Sequence, residues 1–191
     1  MSETKVTTPK ARLAFPALFE ARGFNGQTPK FSAVLIFDKE AQATPEYAKM
    51  KEAAKTALKA KFGDKPPKNL RNPFRDASEK EDVAGFDDGC VFITVSAKKQ
   101  PKVVDRNKVN GAFPQITDED KVYPGCYVRA SLNAYGYDNN GNRGVSFGLN
   151  NVQFLDDGER LGSGGGASRA EDDFEDAGGK NVSEGDASDI F

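Results

Sequence analysis

The chain has 191 residues, 37% of them hydrophobic and 29% charged, which is enough for one domain with a tail. It contains no histidine and only two cysteines, Cys90 and Cys126, so it lacks the commonest general base and any Cys/His zinc site. The formal charge of −2 hides an asymmetry: residues 1–160 carry 25 Lys/Arg against 21 Asp/Glu, and residues 161–191 carry 2 against 8. That division suits a mildly basic nucleic-acid-binding body joined to an acidic interaction tail.

Residues 1–9 are polar and read as loose, with no apolar run of a signal sequence. No stretch approaches the ~20 apolar residues that span a bilayer, so a membrane role is not expected and the cytoplasm is the expected location. Residues 12–21 alternate as a strand, with Leu13, Phe15, Ala17 and Phe19 on one face. Pro16 cannot donate a ladder hydrogen bond and places this strand at an edge or on a bulge. Residues 23–29 hold Asn-Gly and Pro, a loop. Residues 31–37 (FSAVLIF) read as a strand buried on both faces.

Thr44-Pro45-Glu46 is a helix start: a capping hydroxyl, proline at the first helical position, then a carboxylate near the positive dipole end. Tyr47, Met50, Ala54, Ala57 and Leu58 mark its buried side, Phe62 lies at its end, and Gly63 stops it. Residues 65–75 form an irregular basic loop containing Arg71, Phe74 and Arg75. Residues 78–88 are acidic and read as exposed. Residues 90–96 form a strand, with Cys90 and Cys126 as small buried groups in a reducing compartment. Lys98, Lys99, Lys102, Arg106 and Lys108 then cluster around Val103-Val104 with one acid, Asp105.

Residues 123–155 are the informative stretch. Val128, Ala130, Leu132 and Ala134 alternate toward a core, and Tyr127, Arg129, Ser131, Asn133, Tyr135 and Tyr137 toward the other side. Residues 138–141 (DNNG) make the turn of a hairpin, and the chain returns through Val145, Phe147 and Leu149. One face therefore interleaves aromatics with a guanidinium and amides, as binding an unpaired nucleic-acid strand requires. A merely solvated sheet face is the alternative.

After Leu161 comes Gly-Ser-Gly-Gly-Gly, a flexible linker, and then an acidic stretch too poor in apolar groups to fold alone. It finishes on Asp189, Ile190 and Phe191, which reads as a peptide on a tether, with Phe174 as a second contact. The expected division is a binding domain over 1–161 and a disordered tail over 162–191.

Other chemistry fails on spacing. A phosphate-cradling glycine loop lacks its Gly-Lys-Ser/Thr. A calcium loop at Asp138, Asn140 and Asn142 meets Arg143 where glycine is required and Leu149 where glutamate is required. Serine hydrolysis has neither G-x-S-x-G nor histidine. No cofactor or metal is expected, and catalysis is not.

With these residues in view, the chain resembles the phage single-stranded DNA-binding proteins typified by that of an Enterobacter phage. The resemblance spans about 8–161. It rests on Pro73-Phe74-Arg75-Asp76, Gly89-Cys90-Val91-Phe92-Ile93, Gln100-Pro101-Lys102-Val103-Val104-Asp105, Tyr123-Pro124-Gly125-Cys126-Tyr127-Val128-Arg129 and Asn151-Val152-Gln153-Phe154. It implies a mainly β, oligonucleotide-binding (OB) barrel of about five to six antiparallel strands with one α-helix. The barrel would coat single-stranded DNA without sequence preference, and the tail would dock replication or recombination proteins. One departure stands out: the helix follows the second strand, not the third, so either a short strand near 23–28 has been overlooked or the barrel is a variant.

On this reading Lys98, Lys99, Lys102, Arg106, Lys108, Arg129, Arg71 and Arg75 follow the phosphates. Tyr127, Tyr135, Tyr137 and Phe74 stack on bases, with Asn133 between them. Phe174, Asp189, Ile190 and Phe191 carry partner binding. A structural or assembly protein using the tyrosine-rich face as a protein interface, and a metal-dependent nuclease with loop acids, remain as other classes; oligomeric state, a homodimer included, stays open.

Overall fold

A computed structural model describes residues 4–23 and 26–161. The elements are β1 (Lys5–Thr7), β2 (Ala11–Arg22), β3 (Lys30–Phe37), α1 (Lys39–Gln42), α2 (Pro45–Phe62), β4 (Arg75–Asp76), β5 (Val91–Ala97), β6 (Lys102–Val104), β7 (Tyr127–Asn139) and β8 (Asn142–Asp156). Short 3₁₀ turns occupy Ala77–Lys80 and Glu119–Lys121.

The sheet order is β1-β7-β2-β3-β5-β8-β6, and β7 also pairs with β8. That extra pairing closes β7-β2-β3-β5-β8 into a five-stranded barrel. Within the barrel every ladder is antiparallel except β5–β8, where Val95 faces Phe147 and Ser96 faces Gly148 in parallel register. The result is an OB-type barrel. The helix α2 does follow the second barrel strand, and the described part of the 23–29 loop holds no strand, so the barrel is a variant.

Local chemistry accounts for the elements. The Thr44 hydroxyl accepts from the Tyr47 N–H at 3.3 Å, Pro45 opens α2, and Gly63 ends it at φ 72°. Tyr47, Met50, Ala53, Ala54 and Ala57 face the core and plug one end of the barrel. The plug sits close: a Cβ at Gly136 of β7 would lie 2.4 Å from the Lys61 Cβ. The barrel interior itself is filled by Leu13, Leu35, Phe37, Ile93, Val95, Val128, Leu132 and Phe147. Each such large side chain contributes about 1.5–3 kcal/mol by leaving water.

Three expectations are revised. Residues 4–9 are not loose: β1 pairs antiparallel with β7, and buried Thr8 exchanges bonds with Ala130, its N–H reaching the Ala130 carbonyl at 2.9 Å. In β2 the register shifts between Ala14 and Ala17, where Phe15 adopts φ 45° beside Pro16, so Leu13, Ala17 and Leu18 are buried while Phe15 turns outward. The acidic 78–88 segment is not wholly solvated either, since Phe86 and Ala77 cap Ala14, Val34, Ile36 and Phe92 in a second apolar cluster outside the barrel.

Both cysteines are buried, unpaired and just outside strands instead of within them. Burial pushes the Cys126 thiol up to about 12.

Candidate nucleic-acid interface

The β7–β8 hairpin turns on Asn140 (φ 51°) and Gly141 (φ 89°), the two positive-φ residues of a type I′ connection whose twist matches the strands. Its inner face is apolar as the alternation requires. On its outer face one residue is bulged: Ser131 pairs with Asn151 and Leu132 with Leu149, leaving Asn150 over. The Asn133 amide donates to Asn150 Oδ1 at 3.2 Å.

Flanking strands widen this outer face. Thr7 and Lys5 of β1 lie opposite Ser131 and Asn133. On the other side Lys102 and Val104 of β6 lie opposite Asn151 and Gln153. Farther along β8, Gly148 joins Ser96 of β5, and Ser96 joins Ser32 of β3. One cross-strand row thus reads Lys5, Asn133, Gly148, Ser96, Ser32, and a parallel row reads Thr7, Ser131, Asn151, Lys102. The rows present amides, hydroxyls and a glycine with lysines at their ends.

Tyr135 stands on this surface, 44% exposed. Its ring lies along Gly148, where an added Cβ would be 3.7 Å from a ring carbon. Tyr137 is half-buried, its hydroxyl against Gly144. Gly144 is also where the 65–75 loop docks: the Arg71 N–H donates to the Arg143 carbonyl at 2.9 Å, and the Val145 N–H to the Arg71 carbonyl. Arg71 and Tyr137 are therefore brought together at the hairpin's distal end.

Tyr127 is different. It is half-buried at the opposite end, under the Lys10 ammonium at 4.5 Å, and its β8 partner is Asp156. The cavity it borders is lined by Lys10 and Arg12 as well as by Asp38, Glu40 and Asp87, so Tyr127 stands in mixed-charge surroundings apart from Tyr135 and Tyr137.

Phe74 is half-buried and packs edge-on between Tyr47 and Phe147, at 5.6 Å from each, against the core rather than on the outer face of β7 and β8.

The cations sort into two groups. Arg106 pairs with Asp156 at 3.0 Å, Lys10 with the same carboxylate at 3.6 Å, Arg75 with Glu79 at 2.5 Å, and Lys121 with Asp105 at 2.8 Å. The Lys121 ammonium, with the Arg106 N–H, holds the Asp105 carboxyl below its ordinary range. Arg75 also stacks over Phe92, 5.1 Å from its centroid. By contrast Lys5, Lys98, Lys99, Lys102 and Arg129 are exposed and have no carboxylate partner among the described residues. Arg129 is oriented by one bond only, from its Nε to Gln153 Oε1. Of the unpaired cations, Lys5 on β1, Lys102 on β6 and Arg129 on β7 flank the outer face of β7 and β8, while Lys98 and Lys99 lie in the turn between β5 and β6.

A model of the family described as "Enterobacter phage Enc34, ssDNA-binding protein" matches residues 4–187. The chain belongs to this family. A curated relative, "Putative protein p50" of Acyrthosiphon pisum secondary endosymbiont phage 1, is 35% identical over 177 residues, covering 88% of this chain and 92% of the relative. Among solved structures, the single-stranded DNA-binding protein of bacteriophage Enc34 in complex with ssDNA aligns with a TM-score of 0.68 at 19% identity, over 83% of this chain and 90% of that one. The gp2.5 single-stranded DNA-binding protein of bacteriophage T7 aligns with a TM-score of 0.56 at 14% identity, over 94% and 98%. These last two likenesses bear on the fold alone.

As a member of the Enc34 ssDNA-binding family, the chain belongs with binding proteins and not with a class of enzymes. No helix among the described residues is long and apolar enough to cross a membrane. No cluster of potential metal ligands occurs among them. Phe174, Asp189, Ile190 and Phe191 lie outside the described residues. Sequence reasoning missed Lys5 beside this face, because a three-residue strand carries no readable period.

Proposed function

We propose that this protein binds single-stranded DNA without sequence preference, along the outer face of β7 and β8. The observation that carries this is Tyr135: an exposed ring on a face flanked by Lys5, Lys102 and Arg129, with Lys98 and Lys99 in the β5–β6 turn, none neutralised by a described carboxylate. Phosphates follow the cations, and bases stack on Tyr135 and, toward the hairpin tip, on Tyr137 beside Arg71. Stacking accepts any base, because every base has a π-face, so the binding is sequence-tolerant. The setting is replication or recombination of phage DNA, where exposed single strands need coating. The acidic segment 162–191 serves as a tether whose terminal Asp189, Ile190 and Phe191, with Phe174, recruit protein partners.

The test is an oligo-dT gel shift. Tyr135→Ala weakens binding about 5- to 150-fold, the equivalent of one lost stacking contact, with melting temperature within a degree or two of the parent. Unchanged affinity removes the tyrosine from the site; no shift with the parent protein ends the proposal. Truncation after Leu161 tightens binding at low salt, because the tail's carboxylates compete with phosphates for the same cations. Equal affinity with and without the tail refutes that competition.

A further inference from the structure

Beside the β7–β8 face lies an arm that the proposed site does not use. Residues 103–116 fold back on themselves: Val109 and Ala112 pair across Asn110 (φ 50°) and Gly111 (φ 82°), with the Val109 N–H donating to the Ala112 carbonyl at 2.8 Å. At its root the Asp105 N–H donates to the Pro114 carbonyl at 2.9 Å, and the Ile116 N–H to the Val103 carbonyl at 2.7 Å. Buried Ile116 anchors the return. The arm is thus pinned at its root and closed by a tight turn.

What the arm presents is Phe113, 40% exposed. A large aromatic held partly in water by a defined backbone forfeits part of the gain from burial. Its surroundings are cationic and polar. The Lys108 ammonium lies 5.3 Å from the ring centroid. The ring borders a cleft of about 600 Å³ shared with Lys102, Arg129, Ser131, Asn151 and Gln153, in which Glu46 is the one carboxylate. Ser131 Oγ, in the same cleft, has no hydrogen-bond partner among the described residues. The open ring thus shares its surroundings with amides, three cations and the buried, unpartnered Ser131 Oγ.

We infer that Phe113 is a second base-stacking platform, which captures a nucleotide in the cleft between the arm and β7 and so extends the DNA track past Arg129. Tyr135 and Arg129 are six residues apart on one strand face, about 20 Å. The arm therefore lengthens the path over the barrel toward the 4–16 nucleotides typical of an OB fold. The inference rests on the proposed single-stranded DNA binding, and its test separates the two.

The chain has no tryptophan, so Phe113→Trp introduces a single indole reporter. Titrating the full-length variant with oligo-dT should quench that indole in step with binding measured independently by gel shift. Phe113→Ala should weaken binding about 5- to 150-fold with the slope of log affinity against log salt unchanged, since no charge is removed. Phe113→Tyr should restore affinity. Normal binding by the parent with an unquenched indole and unaltered affinity of Phe113→Ala overturns the second platform alone. Absence of binding by the parent overturns the underlying reading instead. A Phe113→Ala chain that melts several degrees early is assigned to folding, and the indole quench, on a variant that keeps the ring, then decides.

Discussion

Removing two unpaired cations should change the salt dependence of DNA binding by a calculable amount. Among the exposed cations without a described carboxylate partner are Lys5, Lys98, Lys99, Lys102 and Arg129, the five considered as phosphate contacts. If each meets one phosphate, log affinity falls against log salt with a slope of about −3.5, so the parent loses roughly 100-fold between 50 and 200 mM salt. The double substitution Lys102→Gln, Arg129→Gln lowers the slope to about −2.1, and the loss over the same range to roughly 20-fold. Both side chains are exposed, so stability should move by no more than about 0.5 kcal/mol each. Arg106→Gln is the internal control. Its guanidinium is already held by Asp156 at 3.0 Å, and it should alter the slope by less than half of one phosphate contact, about 0.3. The assay is fluorescence anisotropy of labelled oligo-dT at four salt concentrations. A double variant with the parental slope, or an Arg106→Gln chain that shifts it as far as Lys102→Gln does, refutes the division into paired and free cations.

Two further outcomes concern the body of the protein. Phe74→Ala removes a ring wedged between Tyr47 and Phe147 and should cost about 2–4 kcal/mol of stability, while the folded fraction keeps parental affinity for DNA; a stable variant that binds weakly would restore Phe74 as a stacking residue. The thiol of Cys126 has its folded pKa raised to about 12 from an ordinary value near 9, so the folded state holds a proton that the unfolded chain releases. Its contribution is intact below pH 9 and declines by about 1.4 kcal/mol per pH unit as pH rises from 9 toward 12; urea melts of the parent and Cys126→Ala should converge over that range, and parallel curves would refute the linkage.

Where the sequence was legible, a local rule and the tertiary environment agreed. Thr44-Pro45 and Gly63 delimit α2 because capping chemistry is decided within a turn of the chain. Asn140-Gly141 marks the hairpin because only that dipeptide type takes two positive φ values cheaply. The alternation from Val128 to Tyr137 placed Tyr135 and Arg129 on the outer face correctly. Where it was not legible, a partner far along the chain decided. β1 has three residues and exists because β7, more than 120 positions away, offers it an edge. Phe15 turns outward through a bulge that period-two counting steps over. Phe74 sits in a basic, proline-marked loop that reads as surface, yet its ring fills a gap between α2 and β8. Tyr127 alternates with Tyr135, but the strand is long enough that its two ends meet different neighbours: Asp156 faces Tyr127, while Arg71 and the Asp138–Arg143 pair lie by the hairpin tip.

The lid formed by Ala77 and Phe86 bears on where the proposed ligand surface lies. OB folds commonly use the outer face of their second and third strands, with the loops that border it. Here those strands are β3 and β5, and their outward Val34, Ile36 and Phe92 are already covered. A polynucleotide cannot displace that cluster without exposing several buried apolar groups, which a few stacking contacts could not offset. The uncovered remainder of the face includes exposed Thr94 with Ser32 and Ser96, and the cross-strand row of the two serines continues through Gly148 and Asn133 to Lys5. Small residues along that row leave the backbone accessible, and the first ring beside it is Tyr135. On the proposed reading, closing one end of the usual surface leaves a path that slants from β5 onto the β7–β8 hairpin, flanked by Lys5 and Lys102 with Arg129 on β7 itself.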